Sequence, residues 1–425
     1  MTDLTTRLVH HAYQPPEGFQ AVPPPVHKAS TVIFPNVAAL RSRQWKRRDT
    51  YTYGLHGTPT TLILEERIAT LEGAQHCVLV PSGLAAISLV GMAVLTSGDE
   101  VLIPDNAYGW NKAFAEAQLK AWGVHVVYYD PMNPQDLAAR LTPRSRLVWL
   151  EAAGSITLEF PDLPALLRVL RSYGSAHRQG LVADLDNTWG AGIAFRPFEL
   201  GIDISVHALT KYPSGGADVL MGAVLTCDPQ MHDRLMDTHA RVGFGVGAND
   251  VELVLRGLPS MGLRYAAHDA ATRELALWMQ SQPQVERVLH PALPGSPGFE
   301  AWRRDCTAAA CLFSVVFKPH FSPDQIDGFC DALRLFKLGY SWAGPISLCA
   351  PYDVSKLRTL DGPHPRALVR FSVGLESVSD LRQDLLRPWP AFKQLSADRE
   401  SAAPAPAGRD GCDPGDASSV PSRSA

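Results

Sequence analysis

The 425-residue chain has no long apolar run, no dense block of one charge and no regular cysteine spacing. Its strongest apolar stretch, Leu84 to Leu95, is interrupted by Ser88 and Gly91 and falls short of the ~20 residues that a spanning helix needs. It reads as a buried helix, and no membrane partner is expected. The formal net charge is −4. The densest basic stretch, Arg41 to Arg48 with Lys46 and Arg47, reads as a solvated helix face, so nucleic acid is not an expected partner. Cys77, Cys227, Cys306, Cys311, Cys330, Cys349 and Cys412 are scattered without a CxxC pair. That pattern excludes a disulfide framework or zinc site and suits reduced thiols in the cytoplasm. The histidines show no HExxH or other ligand spacing, so no metal is expected, and solvated or capping roles suffice for them. Met1-Thr2-Asp3 opens on no apolar signal segment.

What is present is apolar content, 46% of residues, enough for a large core and incompatible with global disorder. At about 100–200 residues per domain, two or three units are expected. The first fifty residues, with Pro15, Pro16 and Pro23-Pro24-Pro25, read as an irregular arm, because proline withholds backbone donors. From about Leu62, short strands alternate with helical stretches such as Ala113–Trp122 and Pro164–Arg171. The strands are Cys77–Val80, Glu100–Ile103, Val124–Tyr129, Leu147–Leu150, Leu181–Leu185, Ile204–Ala208 and Gly222–Thr226. Most are apolar on both faces, which indicates βαβ units and a mainly parallel sheet. Glu252 to Gln280 reads as one long helical tract, bent near Pro259. Beyond Pro283, strands Val285–Leu289, Leu312–Phe317 and Leu368–Val373 and the helix Pro323–Leu333 indicate a smaller α+β domain. From about Ser396 the composition lacks the apolar residues needed to order it. The expected division is an arm over 1–55, an α/β domain over 56–250, an α+β domain over 251–395 and a tail over 396–425.

In a doubly wound sheet a ligand sits beyond the carboxyl ends of the strands. Strand Cys77–Val80 runs into Pro81-Ser82-Gly83-Leu84 and a helix, a junction whose amides suit a phosphate; an ordinary serine N-cap explains the same residues. Strand Leu181–Leu185 ends in Asp186-Asn187-Thr188-Trp189. A buried aspartate needs a partner, which leaves a metal, a helix terminus or a protonated heterocycle. The next strand, Ile204–Ala208, runs into Leu209-Thr210-Lys211-Tyr212, where a lysine of lowered pKa suits Schiff-base chemistry; a solvated loop lysine is the plain alternative. Together the acid, the amine and the phosphate-ready turn fit pyridoxal phosphate. Gly243-Phe244-Gly245-Val246-Gly247 looks like part of a dinucleotide fingerprint, but it follows a helical pattern and reads as a connection.

An ordered series of motifs makes the sequence recognisable. They are Tyr53-Gly54 with Gly57-Thr58, Pro81-Ser82-Gly83, Asn106-Ala107-Tyr108, Gly154-Ser155-Ile156-Thr157, Asp186-Asn187-Thr188-Trp189, Thr210-Lys211-Tyr212, His290-Pro291-Ala292-Leu293-Pro294-Gly295, Tyr340-Ser341-Trp342, and Arg370 ahead of Gly374-Leu375-Glu376. From about Thr6 to Phe392 the chain resembles the Cys/Met-metabolism family of pyridoxal-phosphate (PLP) enzymes, and within it the bacterial cystathionine β-lyase branch. The resemblance implies a fold-type I, PLP-dependent transferase-like architecture with the cofactor in the α/β domain. It implies that Lys211 carries the cofactor as a Schiff base and later moves the Cα proton. Asp186 then pairs with the pyridinium nitrogen, and Tyr108 stacks on the ring and assists proton movement. The amides of Gly83 and Leu84 hold the phosphate with the Thr210 hydroxyl. Arg370 grips the substrate carboxylate bidentately, and Ser155, Tyr340, Ser341 and Trp342 line the pocket. Tyr53 comes to the site from a neighbouring subunit, which implies a homodimer with shared sites, usually doubled to a tetramer. Two positions depart from the family: Leu55 replaces a phosphate-clamping Arg and Ala208 replaces a Ser. His56 is the residue that reads as a partial replacement for the first missing charge.

Within the family, γ-acting members usually have Glu where this chain has Tyr340, and methionine γ-lyase-like members have Cys where Trp110 stands. Other branches tend to carry Asn at Ser155. These positions imply α,β-elimination of L-cystathionine to homocysteine, pyruvate and ammonia, a step of methionine synthesis. A broader cysteine-S-conjugate or cystine β-lyase, a γ-acting member and a catalytically silent protein on the same fold are the alternatives.

Overall fold

The computed structural model describes residues 21–42, 44–177 and 180–389, together with Thr6, Glu17 and Gly18. Pro15, Pro16, Cys412 and the tail expected from Ser396 lie outside the described residues. The mainly α/β first part centres on a seven-stranded sheet. Its strands are β1 (His76–Val80), β2 (Glu100–Pro104), β3 (His125–Tyr129), β4 (Ser145–Glu151), β5 (Val182–Asp186), β6 (Ile204–Ala208) and β7 (Gly222–Thr226). The spatial order is β1-β7-β6-β5-β4-β2-β3. β3, β2, β4, β5 and β6 pair in parallel, whereas β7 runs antiparallel to both β1 and β6. The strands are apolar on both faces because both faces are covered. On one, Leu79, Val148, Leu150, Ala183 and Leu185 pack under the helices Pro59–Glu72, Leu163–His177 and Ala248–Gln280. On the other, Val78, Val80, Trp149, Val182, Ile204 and Val206 pack under Gly83–Val94 and Pro229–Val242.

Local chemistry fixes where these helices begin. Thr58 opens Pro59–Glu72 with a capping box and a proline in the first turn. Ser82 caps Gly83–Val94 by accepting the Ala85 amide, and Asp228 caps Pro229–Val242 through Gln230. Each side chain satisfies an amide that has no partner within its helix. The stretch expected to be helical over Ala113–Trp122 begins earlier, at Gly109, and passes through a π-turn over Ala115–Leu119. The long tract is a single helix, Ala248–Gln280, continuous through Pro259.

A second sheet, of five strands, follows in the order β10-β11-β12-β9-β8. It comprises β8 (Val285–Leu289), β9 (Leu312–Phe317), β10 (Lys337–Leu338), β11 (Leu348–Tyr352) and β12 (Leu368–Ser372). β10 and β11 are absent from the sequence reading. β10 has two residues, and β11 contains Pro351, which argues against a strand. Proline is tolerated there because β10 covers only Leu348 and Cys349, leaving Pro351 on the open edge.

Two expectations are corrected. The basic stretch is not one solvated helix: the helix ends at Arg41, and Lys46, Arg47 and Arg48 pair with Asp237, Asp49 and Glu65. Nor are the histidines all solvated or capping, since His207, His268 and His290 are fully buried. No helix among the described residues is long and apolar enough to cross a membrane.

The buried Asp384 carboxylate holds the small domain together by accepting the amides of Arg334, Leu335 and Phe336 at 2.8 to 3.1 Å. Asp384→Ala leaves those donors unpaired, and a loss of about 3 kcal/mol in unfolding free energy is expected. Denaturant titration checks this, and an unchanged midpoint contradicts it.

Candidate active site

The carboxyl ends of β4, β5 and β6 lie side by side and deliver the site's charged groups. β5 ends in Asp186, register-paired with Glu151 of β4 and with Val206 of β6. Asp186 Oδ1 accepts the Thr188 amide at 3.0 Å. Burial raises its carboxyl pKa, while the Thr188 donors and then His207 and Lys211 pull it back towards the charged form. The Thr188 hydroxyl also accepts the Ala208 amide at 3.0 Å, stitching the β5 end to the β6 end.

Lys211 follows β6, its amide donating to the Ala208 carbonyl at 3.1 Å. Its Nζ donates to Ser341 Oγ and lies 5.2 Å from the centre of the Trp342 ring. Burial and then the nearby Arg370 guanidinium lower the amine pKa to about 8, against the opposing pull of Cys311 and Asp186. Arg370, on β12, is nearly buried, reaches the Ser341 carbonyl at 3.4 Å and stacks its guanidinium 5.4 Å from the Tyr352 ring centre. Ser341 therefore touches both cations, one through its hydroxyl and one through its carbonyl. Ser341 and Ala343 adopt φ of +86° and +65° around Trp342, a sparsely populated region for such residues.

Tyr108 caps the Gly109–Phe114 helix and is 41% exposed. Its phenol pKa is raised by burial, then by Asp186 and Glu151. Its amide donates to Glu151 Oε2 at 2.7 Å. Ser155, whose amide donates to the Asn106 carbonyl at 2.8 Å, lines a cleft of about 600 Å³ with Gly109, Lys112 and Arg358.

Gly83 opens the Gly83–Val94 helix. The Gly83 and Leu84 amides are first-turn donors with no partner within the helix. A Cβ on Gly83 would meet the Ala208 Cβ at 2.8 Å, so a side chain here closes the cradle. Ala208, where the family usually has Ser, thus borders the helix terminus directly. The Thr210 hydroxyl is engaged with Met221, accepting its amide at 3.1 Å and donating to its carbonyl at 3.3 Å. Serving a phosphate requires it to release that carbonyl.

Not every expected residue joins the group. Tyr340 is 81% exposed. Tyr53 is half-exposed, bridged to Thr31 through the backbone, with its ring 6.0 Å from His56. Leu55 sits in the turn Gly54–His56, and the His56 ring packs against Trp45. Sequence reasoning missed Glu151 and Tyr352, and quoted Thr188 without giving it a role. Glu151 carries the signal that revealed Asp186, an acid closing an apolar strand, and that signal could have found it.

These residues fit PLP. The helix terminus offers amides for the phosphate, Asp186 offers a partly buried carboxylate for a protonated ring nitrogen, and Lys211 offers an amine that loses its proton around pH 8.

The family model for Cys/Met metabolism PLP-dependent enzymes matches residues 5–389. The chain belongs to this family. It is a PLP-dependent enzyme with the fold expected of one. A cystathionine beta-lyase of Bordetella avium is 38% identical over 379 residues, covering 88% of this chain and 93% of the relative. Cystathionine beta-lyase MetC of Escherichia coli is 34% identical over 387 residues, covering 90% and 97%. An L-methionine gamma-lyase of Pseudomonas putida is 30% identical over 388 residues, covering 89% and 95%. The expectation of a carbon–sulfur lyase is met by relatives named for that chemistry. The crystal structure of metB from Corynebacterium glutamicum superposes with a TM-score of 0.83 at 25% identity, covering 93% of this chain and 98% of that one.

Because the Lys211 amine pKa is about 8 before cofactor binds, its neutral, reactive fraction grows as pH rises through that value. The rate of PLP uptake by cofactor-free protein is expected to rise with pH through a midpoint near 8 and to level off about one pH unit above it. Arg370→Met removes a charge that lowers the amine pKa, so the midpoint should move upward. Stopped-flow absorbance at a series of pH values checks both; a midpoint near the ordinary lysine value contradicts the account.

Proposed function

We propose that this enzyme catalyses α,β-elimination at sulfur amino acids, with L-cystathionine as substrate and homocysteine, pyruvate and ammonia as products. The observation that supports the reading is the Lys211–Ser341–Arg370 arrangement with Asp186 in electrostatic reach of the amine, which brings an amine, a guanidinium and a carboxylate together. The β-lyase choice is supported by the relatives named for that activity and by Tyr340, Trp110 and Ser155. A γ-elimination must move a further proton at the β-carbon, whereas β-elimination needs only the Cα proton and a leaving thiolate.

Bound at this site, PLP supplies an electron sink for the pair released when the Cα–H bond breaks. Arg370 binds the substrate carboxylate, and its planar fork fixes the orientation of Cα. Lys211, depressed in pKa, takes the Cα proton at Nζ. Asp186 holds a negative charge at the ring-nitrogen end. Tyr108 would support the ring, and the Gly83 and Leu84 amides with the Thr210 hydroxyl would hold the phosphate. The carbon–sulfur bond breaks, the thiolate gains a proton and leaves as homocysteine, and water releases the remaining fragment as pyruvate and ammonia. Ser155, Ser341, Trp342 and Tyr340 shape the space for the far half of the substrate.

A second copy of the chain completes the proposed site. Tyr53 is half-exposed, and Ile33, Val37, Leu40 and Tyr51 of the same N-terminal segment are exposed apolar residues too, which suits a surface that another subunit covers. The free cysteines among the described residues suit the cytoplasm.

Lys211→Ala is expected to lower turnover by about 10³-fold or more. Arg370→Met is expected to raise KM by about 10- to 100-fold through loss of a charged hydrogen-bond pair. Product analysis decides the bond: pyruvate from cystathionine supports the reading, and 2-oxobutyrate without pyruvate rejects it in favour of γ-elimination.

A further inference from the structure

Glu151 has no part in the chemistry above, yet it lies at its centre. It closes β4, register-paired with Asp186 at the end of β5. Leu147 and Trp149 of β4 pack on the same sheet face as Val182 of β5. Side chains alternate along a strand, so Glu151 and Asp186 project on that face from neighbouring strands. Strands lie about 4.8 Å apart, which makes the two carboxyl groups neighbours.

The Glu151 side chain is buried, and its Oε2 accepts the Tyr108 amide at 2.7 Å, at the short end for an N–H donor. The Ser155 amide, which donates to the Asn106 carbonyl, also faces this carboxyl group. The loops after β2 and β4 are therefore held to one side chain. We infer that Glu151 is a positioning residue: its carboxyl group holds the Tyr108 main chain at the strand ends and so sets where the phenol ring stands relative to Asp186. The consequence for cofactor binding rests on the proposed reading of the site; the hydrogen bond does not.

Two adjacent buried carboxyl groups cannot both ionise cheaply. Burial and then the Asp186 charge push Glu151 well above the usual carboxylate range, against the pull of the Tyr108 amide. Asp186 has Thr188, His207 and Lys211 on its side. The balance favours the proton on Glu151 and the charge on Asp186, although burial raises the Asp186 pKa as well. A neutral carboxyl group still accepts an amide through its carbonyl oxygen, so glutamine is a faithful replacement. Aspartate is one methylene too short to reach.

Hydrogen exchange over residues 104–112 of the full chain, without and with PLP, tests this. E151Q is expected to keep wild-type protection within about 3-fold, and E151D to exchange faster by about 10-fold, as loss of one buried hydrogen bond implies. PLP affinity should follow the same order, near wild type for E151Q and weakened about 10-fold for E151D. Wild-type protection in E151D, or lost protection in E151Q, overturns the inference. E151Q alone decides if E151D does not fold. Failure of the wild-type protein to bind PLP would fault the reading of the site and leave the exchange result standing.

Discussion

The site depends on keeping an amine next to a guanidinium away from water. Lys211 and Arg370 converge on Ser341 from different sheets, one from the end of β6 and one from within β12. Burial and like-charge repulsion both disfavour the protonated amine. The protein accepts this because the cost appears as reactivity: an ordinary lysine is almost wholly protonated at neutral pH, whereas this one is half neutral near pH 8. The arrangement requires both sheets, since neither supplies both cations.

The rest of the site balances those charges. Asp186 supplies the counter-charge, and its strand is tied to the lysine strand through Thr188 and the Ala208 amide. Behind the sheet, Glu72 is fully buried, accepts from Asn187 at 2.7 Å and Ser205 at 3.3 Å, and lies 3.0 Å from His207 Nδ1. Asn187 is the neighbour of Asp186 and Ser205 and His207 lie on β6, so one carboxylate holds the roots of both functional strand ends. Glu151 does the same for Tyr108 on the opposite face. Buried polar groups of this kind are costly unless partnered, and here each partnership fixes the position of a residue facing the cleft.

Much of this was legible in the residues. Asp186 and Lys211 announce themselves because charged residues rarely close apolar strands, and the parallel sheet follows from strands apolar on both faces. The motif series pointed to Tyr108, Arg370, Ser341 and Trp342, which composition and periodicity could not single out. What stayed hidden was hidden for physical reasons. β11 carries a proline that only an open edge tolerates. β10 is too short to show a period. His207 looks like any polar residue until Glu72, distant in sequence, is packed against it. The basic segment looks like a solvated helix because Asp237 and Glu65, the partners of Lys46 and Arg48, lie outside it in the sequence.

The central claim is that Lys211 is the lysine that carries PLP. The most direct measurement is borohydride reduction of the purified, PLP-loaded protein followed by peptide mapping of the modified lysine. The account predicts a yellow protein whose colour is lost on reduction, with the pyridoxyl group on the peptide containing Lys211. A colourless protein after PLP addition, or a label on any other lysine, would contradict it.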